Sequence, residues 1–268
     1  MTLNAALAPP APRHQRSRGE VVATFAAGRL HRLRQAGSAK AIVLPGPELV
    51  LLNTSGGLTG GDRLGLDLDL GPGCRLTATT QTAERLYRAA EGRATIRIAA
   101  RLAAGARLDW LPQETILFDG AAADRQTTID LAPDAACLMC ETLVLGRAAM
   151  GETLTRADLG DTRRVLRAGR PVHLDPFRLD PARLAPAAAG LAGARALCTL
   201  VLVAQGADDA TGPARAALTE PGVTAAASGW DGRLVVRLMA PDAWPLRRQL
   251  VRLLAALRST PLPRVWQG

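Results

Sequence analysis

The chain has 268 residues, enough for one large domain with a substantial core, and carries a formal net charge of +9 in which Lys40 is the only lysine. Aromatic residues make up 3%, with Tyr87 the single tyrosine, so the positive charge lacks the stacking rings that a nucleic-acid surface interleaves with its cations. No apolar run approaches membrane-spanning length, the N-terminus lacks a secretory pattern, and four scattered cysteines fit a reducing compartment, so the chain reads as soluble and cytoplasmic.

Residues 1–19 are proline-rich and basic and read as a disordered tail, leaving 20–268 as a single domain with a β-rich body to about residue 180. Val21 to Phe25 starts the first strand, and the crowded Arg29, His31, Arg32 and Arg34 read as a solvated edge or turn. Leu49 to Leu52 is a short apolar strand that runs into two glycine pairs, Gly56-Gly57 and Gly60-Gly61, closed by Asp62. Paired glycines mark backbone at positive φ or in close approach to another group, so a sharp, crowded structural turn is expected.

Beyond the turn, Leu64, Leu66, Leu68 and Leu70 alternate with Gly65, Asp67 and Asp69, the period of a strand with one apolar face. Gly71-Pro72-Gly73 breaks it, and Arg75 to Thr80 resumes. Ile96, Ile98, Ala100 and Leu102 alternate in the same way, Gly105 turns the chain, and Leu108 and Trp110 recover the pattern, which predicts a hairpin. Further strands are expected at Gln126 to Leu131, Ala136 to Leu145, Arg163 to Arg167 and Val172 to Leu174. Many short strands with regular turns predict stacked or packed sheets. The fold class is therefore mainly β (α+β), with a smaller helical portion.

Proline and alanine dominate Asp180 to Gly193, a connection. Leu197 to Val203 is continuously apolar and suits a strand buried on both faces. Asp208-Asp209 precedes a helix holding Ala214 to Leu218, and Trp230-Asp231-Gly232 turns into a strand at Leu234, Val236 and Leu238. Leu246, Leu250, Leu253, Leu254 and Leu257 recur at helical spacing and predict a C-terminal amphipathic helix that Thr260-Pro261 stops; its arginines read as a solvated face.

Chemistry-bearing patterns are few. The glycine turn lacks the Gly-Lys-Ser/Thr ending and following helix of a phosphate-binding loop, and Asp62 would repel phosphate. Cys137 and Cys140 point to opposite faces of a strand and read as two buried thiols. His14, His31 and His173 are isolated, and no serine sits in a nucleophile motif. Carboxylates are more informative: Asp62, Glu114, Asp119, Glu141 and Glu152 each lie between strands, where arginine pairing or amide capping is the ordinary role.

Asn53-Thr54-Ser55-Gly56-Gly57-Leu58-Thr59-Gly60-Gly61-Asp62, with Thr79-Thr80-Gln81 and Tyr87-Arg88, resembles the signature of the UreD (UreH) family of urease accessory proteins. So do Trp110 to Thr115, Asp119-Gly120, Glu141, Leu145-Gly146-Arg147, Met150-Gly151-Glu152 and Arg264-Val265-Trp266, in the same order along nearly the whole chain. The resemblance implies a non-catalytic chaperone with a β-rich body that binds apo-urease, a UreF-type accessory protein and, through the complex, a UreG-type GTPase. It also implies transient passage of nickel, with Asp62, Glu114, Glu141 and Glu152 as candidates for that path and no tightly bound cofactor. Two readings from other classes stand beside it: an enzyme built on the Gly56 to Asp62 turn with Asp62 as general base, and a basic nucleic-acid-binding module.

Overall fold

The computed structural model describes residues 15–185 and 190–267. Residues 1–14, including His14, and part of the Asp180 to Gly193 connection lie outside the described residues. The first strands are β1 (Arg18–Ala26), β2 (Arg29–Gly37), β3 (Ala39–Leu44), β4 (Glu48–Asn53), β5 (Arg63–Leu70) and β6 (Arg75–Thr80). There follow β7 (Glu84–Leu86), β8 (Ala94–Leu102), β9 (Arg107–Trp110), β10 (Thr115–Leu117), β11 (Ala121–Leu131) and β12 (Ala136–Leu145). The last part comprises β13 (Ala157–Arg167), β14 (Arg170–Leu179), α1 (Pro181–Leu184), β15 (Ala196–Val203), α2 (Thr211–Ala217), β16 (Thr224–Trp230), β17 (Arg233–Ala240) and α3 (Ala243–Leu257).

The strands form two stacked sheets, as the alternation predicts. The first runs β14-β13-β11-β8-β5-β1-β2, and the second runs β16-β17-β15-β12-β9-β6-β4-β3, with β10 and β7 attached to its β12 side. Between β4 and β13 the main strands alternate between layers, so β5, β8, β11 and β13 pair in parallel in one sheet and β4, β6, β9 and β12 in the other. The result is a coil that lays down one strand in each layer per turn, and its ends are finished by antiparallel pairs. The expected hairpin at Ile96 to Trp110 is thereby corrected. Gly105, at positive φ, carries the chain from β8 in one sheet to β9 in the other, and the ladder neighbours of β8 are β5 and β11.

Why the sheets stack is legible in the burial. Val21, Leu66, Leu68, Ile98, Ala100 and Ile129 face inward from one sheet against Leu49, Leu76, Ala78, Leu108, Trp110 and Met139 of the other, closing one core. Outward Asp67 and Asp69 pair instead with Arg97 and Arg101 on the neighbouring strand. The second core lies on the far face of the β12-β15-β17 region, where Leu138, Cys140, Leu200, Val236 and Leu238 meet Leu246, Leu250, Leu253 and Leu254 of α3. Strand β15 is thus covered on both faces, which accounts for its unbroken apolar run.

Helix α3 starts at Asp242, whose carboxylate accepts from the Trp244 amide, and Trp266 is buried behind it. Trp266 donates its indole N–H to the Leu111 carbonyl at 3.0 Å. The helix arginines depart from a plain solvated face. Arg248 and Arg252 bracket the buried carboxylate of Glu220, and Arg258, just past the helix end, is buried against Asp109. The described part of Asp180 to Gly193 holds a short helix, α1, capped by Asp180.

Candidate functional site

Inward alternation continues past Ile98, but the chemistry of the inward residues changes. In one row of the seven-stranded sheet Val21 pairs with Leu66, Leu66 with Ile98, Ile98 with Thr127, Thr127 with Arg163, and Arg163 with Asp175. The adjacent row ends in Arg125, Asp161 and Phe177. Facing them across the layer is Glu141 of β12, whose ladder partner is Thr199. Five ionisable side chains, Arg125, Glu141, Asp161, Arg163 and Asp175, are therefore buried together between the sheets.

Burial of charge is tolerated only when every partner is supplied, and here it is. Arg125 grips Asp161 with one guanidinium edge, Nε and Nη2 donating to its two oxygens at 2.9 and 2.6 Å, and donates from Nη1 to Thr115 at 3.0 Å. Arg163 donates to Glu141 at 3.0 Å, to Asp175 at 2.8 Å and, at very close range, to Asp161. The other Glu141 oxygen accepts from the Trp110 indole at 2.9 Å and Thr127 at 2.7 Å. Arg237 closes the network on Asp175 at 2.7 Å. Burial by itself would raise the Asp161 carboxyl, but Arg125 and Arg163 overcome it and hold that group below the ordinary range. Asp175 is held down against burial by Arg237 and Arg163 in the same way.

Two members of this network, Arg125 and Glu141, line a cavity of about 140 Å³ between the layers. Its outer part is lined by Asn53, Thr80, Gln81 and Glu84, next to Gly56 of the glycine turn. Glu84 accepts from the Asn53 amide at 3.2 and 3.1 Å, and burial raises its pKa despite that bond. Arg125 and Glu141 of β11 and β12, and Asn53 and Glu84 of β4 and β7, thus place polar groups along a cavity that Val21, Leu66, Ile98 and Trp110 otherwise line with apolar surface.

The glycine turn is crowded, as expected. Gly56, Gly57 and Gly61 have φ of 78, 150 and 87°. Gly60 does not take positive φ; it is needed because a Cβ there would lie 2.0 Å from the Glu91 carbonyl oxygen. Asp62 holds the turn from inside, one oxygen accepting from the Ser17 amide at 2.7 Å and the other from the Thr59 amide at 2.8 Å. Both oxygens of the residue suggested as a general base are taken by backbone. Tyr87 packs edge-on against Phe118 and donates to the Gly56 carbonyl.

The four carboxylates named from the sequence do not converge. Glu141 reaches the cavity, Asp62 caps the turn, and Glu152 binds Arg147 and the Asp119 amide outside it. Glu114 lies half-buried beside α3, 3.7 Å from Arg247, in a separate groove with Trp244 and Trp266. Spacing along the chain does not single out Arg125, Asp161, Arg163 and Asp175 as site residues, although Arg125 stands in inward parity between Ala123, Thr127 and Ile129, a visible break in an otherwise apolar face. Among the described residues no group of three or more His, Cys, Asp or Glu side chains could hold a metal ion together. Cys137 and Cys140 are both fully buried, in different cores, and burial pushes the Cys137 thiol up to about 12. Cys140 meets Cys198 with its sulfur 3.6 Å away. His173 is buried in β14 and His31 is exposed on β2, and neither belongs to a ligand cluster among the described residues.

Comparison with known proteins adds a separate line. The family model described as UreD urease accessory protein matches residues 16–267. The urease accessory protein UreD of Cereibacter sphaeroides is 58% identical over 98% of this chain and 99% of its own length. That of Paracoccus denitrificans is 51% identical over 95% of this chain and 94% of its own. The protein of the same name from Rhizobium leguminosarum bv. trifolii is 42% identical over 95% and 96%.

Proposed function

Because the chain belongs to the UreD urease accessory protein family, we propose that it is a non-catalytic chaperone of urease maturation, binding apo-urease and helping to deliver nickel to its active site. It does so together with UreF- and UreG-type partners, and GTP hydrolysis falls to the UreG-type GTPase. The observation that carries this reading is the cavity between the sheets, where Arg125 and Glu141 on the inside and the oxygen donors Asn53, Thr80 and Glu84 nearer the glycine turn interrupt a largely apolar lining. Oxygen ligands hold divalent nickel less firmly than imidazole or thiolate, and a delivery protein has to release what it receives.

Of the carboxylates, Glu84 and Glu141 are assigned to the path, Glu114 and Glu152 to outer surfaces, and Asp62 to the frame. Glu84 is the clearer test, since Glu141 also holds the fold. Urease expressed with the other accessory proteins but without this chain should emerge with little nickel and little activity. Glu84→Gln keeps the side-chain shape and removes the charge. The variant should fold and assemble, yet yield urease with several-fold less nickel. Fully loaded urease made in the absence of this chain would overturn the reading; full loading by an assembled Glu84→Gln variant would move the path away from that residue.

A further inference from the structure

The most exposed large apolar side chain among the described residues is Met150, 73% accessible, at the tip of the loop joining β12 to β13. Its neighbours Ala148 and Ala149 are exposed as well, in a single tight turn closed by Gly151 at a φ of 68°. An apolar tip on a slack loop would call for no explanation. This loop is not slack at its base. The Gly146 amide donates to the Leu117 carbonyl at 2.8 Å, and the Glu152 carboxylate gathers the Arg147 amide at 3.0 Å, the Arg147 guanidinium, and the Asp119 amide at 3.3 Å. Asp119 in turn accepts from the Thr155 and Arg156 amides, both at 2.8 Å, which holds its carboxyl at about 2. The Arg147 guanidinium carbon lies over the Phe118 ring, 4.2 Å from its centroid.

A fixed base means that docking would order little more of the chain, which removes much of the entropic cost of burying the tip. Methionine, unbranched and polarisable, adapts to an apolar socket of imperfect shape. The charges around it choose the partner. Arg88, Arg147 and Arg156 are exposed there, while the nearby carboxylates, Asp119 and Glu152, turn their oxygens to backbone amides and to these same arginines. A second copy of this chain would bring arginine against arginine and is disfavoured.

We propose that this loop is a docking knuckle whose Met150 enters a shallow apolar socket on a partner protein, with Arg88, Arg147 and Arg156 meeting an acidic rim. The proposal rests on the urease-maturation reading for its probe, apo-urease assembled with the purified accessory proteins and this full chain. Mild peroxide oxidises exposed thioethers, and peptide mass spectrometry reads each methionine separately. Met239 is half-buried and Met139 fully buried, so both act as internal references. Oxidation of Met150 should slow on the order of tenfold on assembly, with Met239 unchanged, and Met150→Glu should weaken retention by a similar factor while Met150→Leu changes it less than about threefold. If the wild-type chain assembles but Met150 oxidises at its free rate and Met150→Glu is retained normally, the knuckle is overturned while the maturation reading stands. Protection in the chain alone, rising with its concentration, would also overturn it in favour of self-association. A wild-type chain that does not assemble would overturn both.

Discussion

The space between the two sheets has two halves built on the same register. Under β1, β5 and β8 two adjacent rows present Val21, Leu66 and Ile98, and Leu64 and Ile96; under β11, β13 and β14 the same rows present Thr127, Arg163 and Asp175, and Arg125 and Asp161. Backbone pairing carries both rows from β5 through β8 and β11 to β13 in one parallel register. What differs is how failure spreads. An apolar side chain trimmed in the first half leaves a hole whose neighbours can relax into it, whereas a charge removed from the second leaves its partners ionised and dry. The first half makes a core, and the second makes a particular core.

Removing Arg163 should therefore have the largest effect, because Glu141, Asp161 and Asp175 all lean on it. Arg163→Ala is expected to cost about 3–5 kcal/mol and to be compared with wild type by urea denaturation; a loss below about 1 kcal/mol would erase the distinction between the halves. Acid should separate them next. Asp161 and Asp175 have lowered folded values, so their stabilisation is complete above the unfolded carboxylate value of roughly 4 and is lost as pH falls through the folded values. Hydrogen exchange below that pH should show β13 and β14 amides losing protection before those of β5 and β8. Simultaneous loss would contradict the comparison.

In the apolar half, Ile98→Val should cost about 1 kcal/mol, the ordinary penalty for one buried methylene, read from the same denaturation experiment. Smallest of all should be the outward pair Arg101 and Asp69, on the strands that carry the apolar rows inside. Arg101 is 64% exposed, and Arg101→Ala should change stability by no more than about 0.5 kcal/mol, less still in high salt. A large effect there would mean that ion pairs matter in this fold regardless of burial.

Much of this is legible in the sequence, and the limits have physical causes. Period-two alternation marks nearly every long strand, and Ala136 to Leu145 coincides with β12. The helical leucine spacing marks α3, and the crowded glycines mark a turn that admits no side chain at Gly60. Alternation reports which side chains share a face; it carries no information about which sheet a strand joins. That is why β8 and β9 read as a hairpin when they lie in opposite layers. The charged half is hidden for a related reason. Arg125 and Arg163 are visibly in inward parity, but only their juxtaposition with Asp161, Asp175 and Glu141, drawn from three other positions along the chain, makes such burial stable. Glu114 cannot be placed by spacing at all, because its surroundings come from the far C-terminus.

The coil also imposes an order in time. Each parallel strand finds its ladder partner a whole turn later in the chain, roughly 30 residues on, so during synthesis the growing sheet always ends in an open edge waiting for chain that has not yet emerged. Such an edge could recruit any passing strand, including one from a neighbouring nascent copy. The seven-stranded sheet stops recruiting at β14, which folds back antiparallel on β13 and carries Pro171 and Pro176, two positions with no N–H to offer a newcomer. Those prolines write the last line of the layer: the stack closes because its final strand cannot be fully paired again.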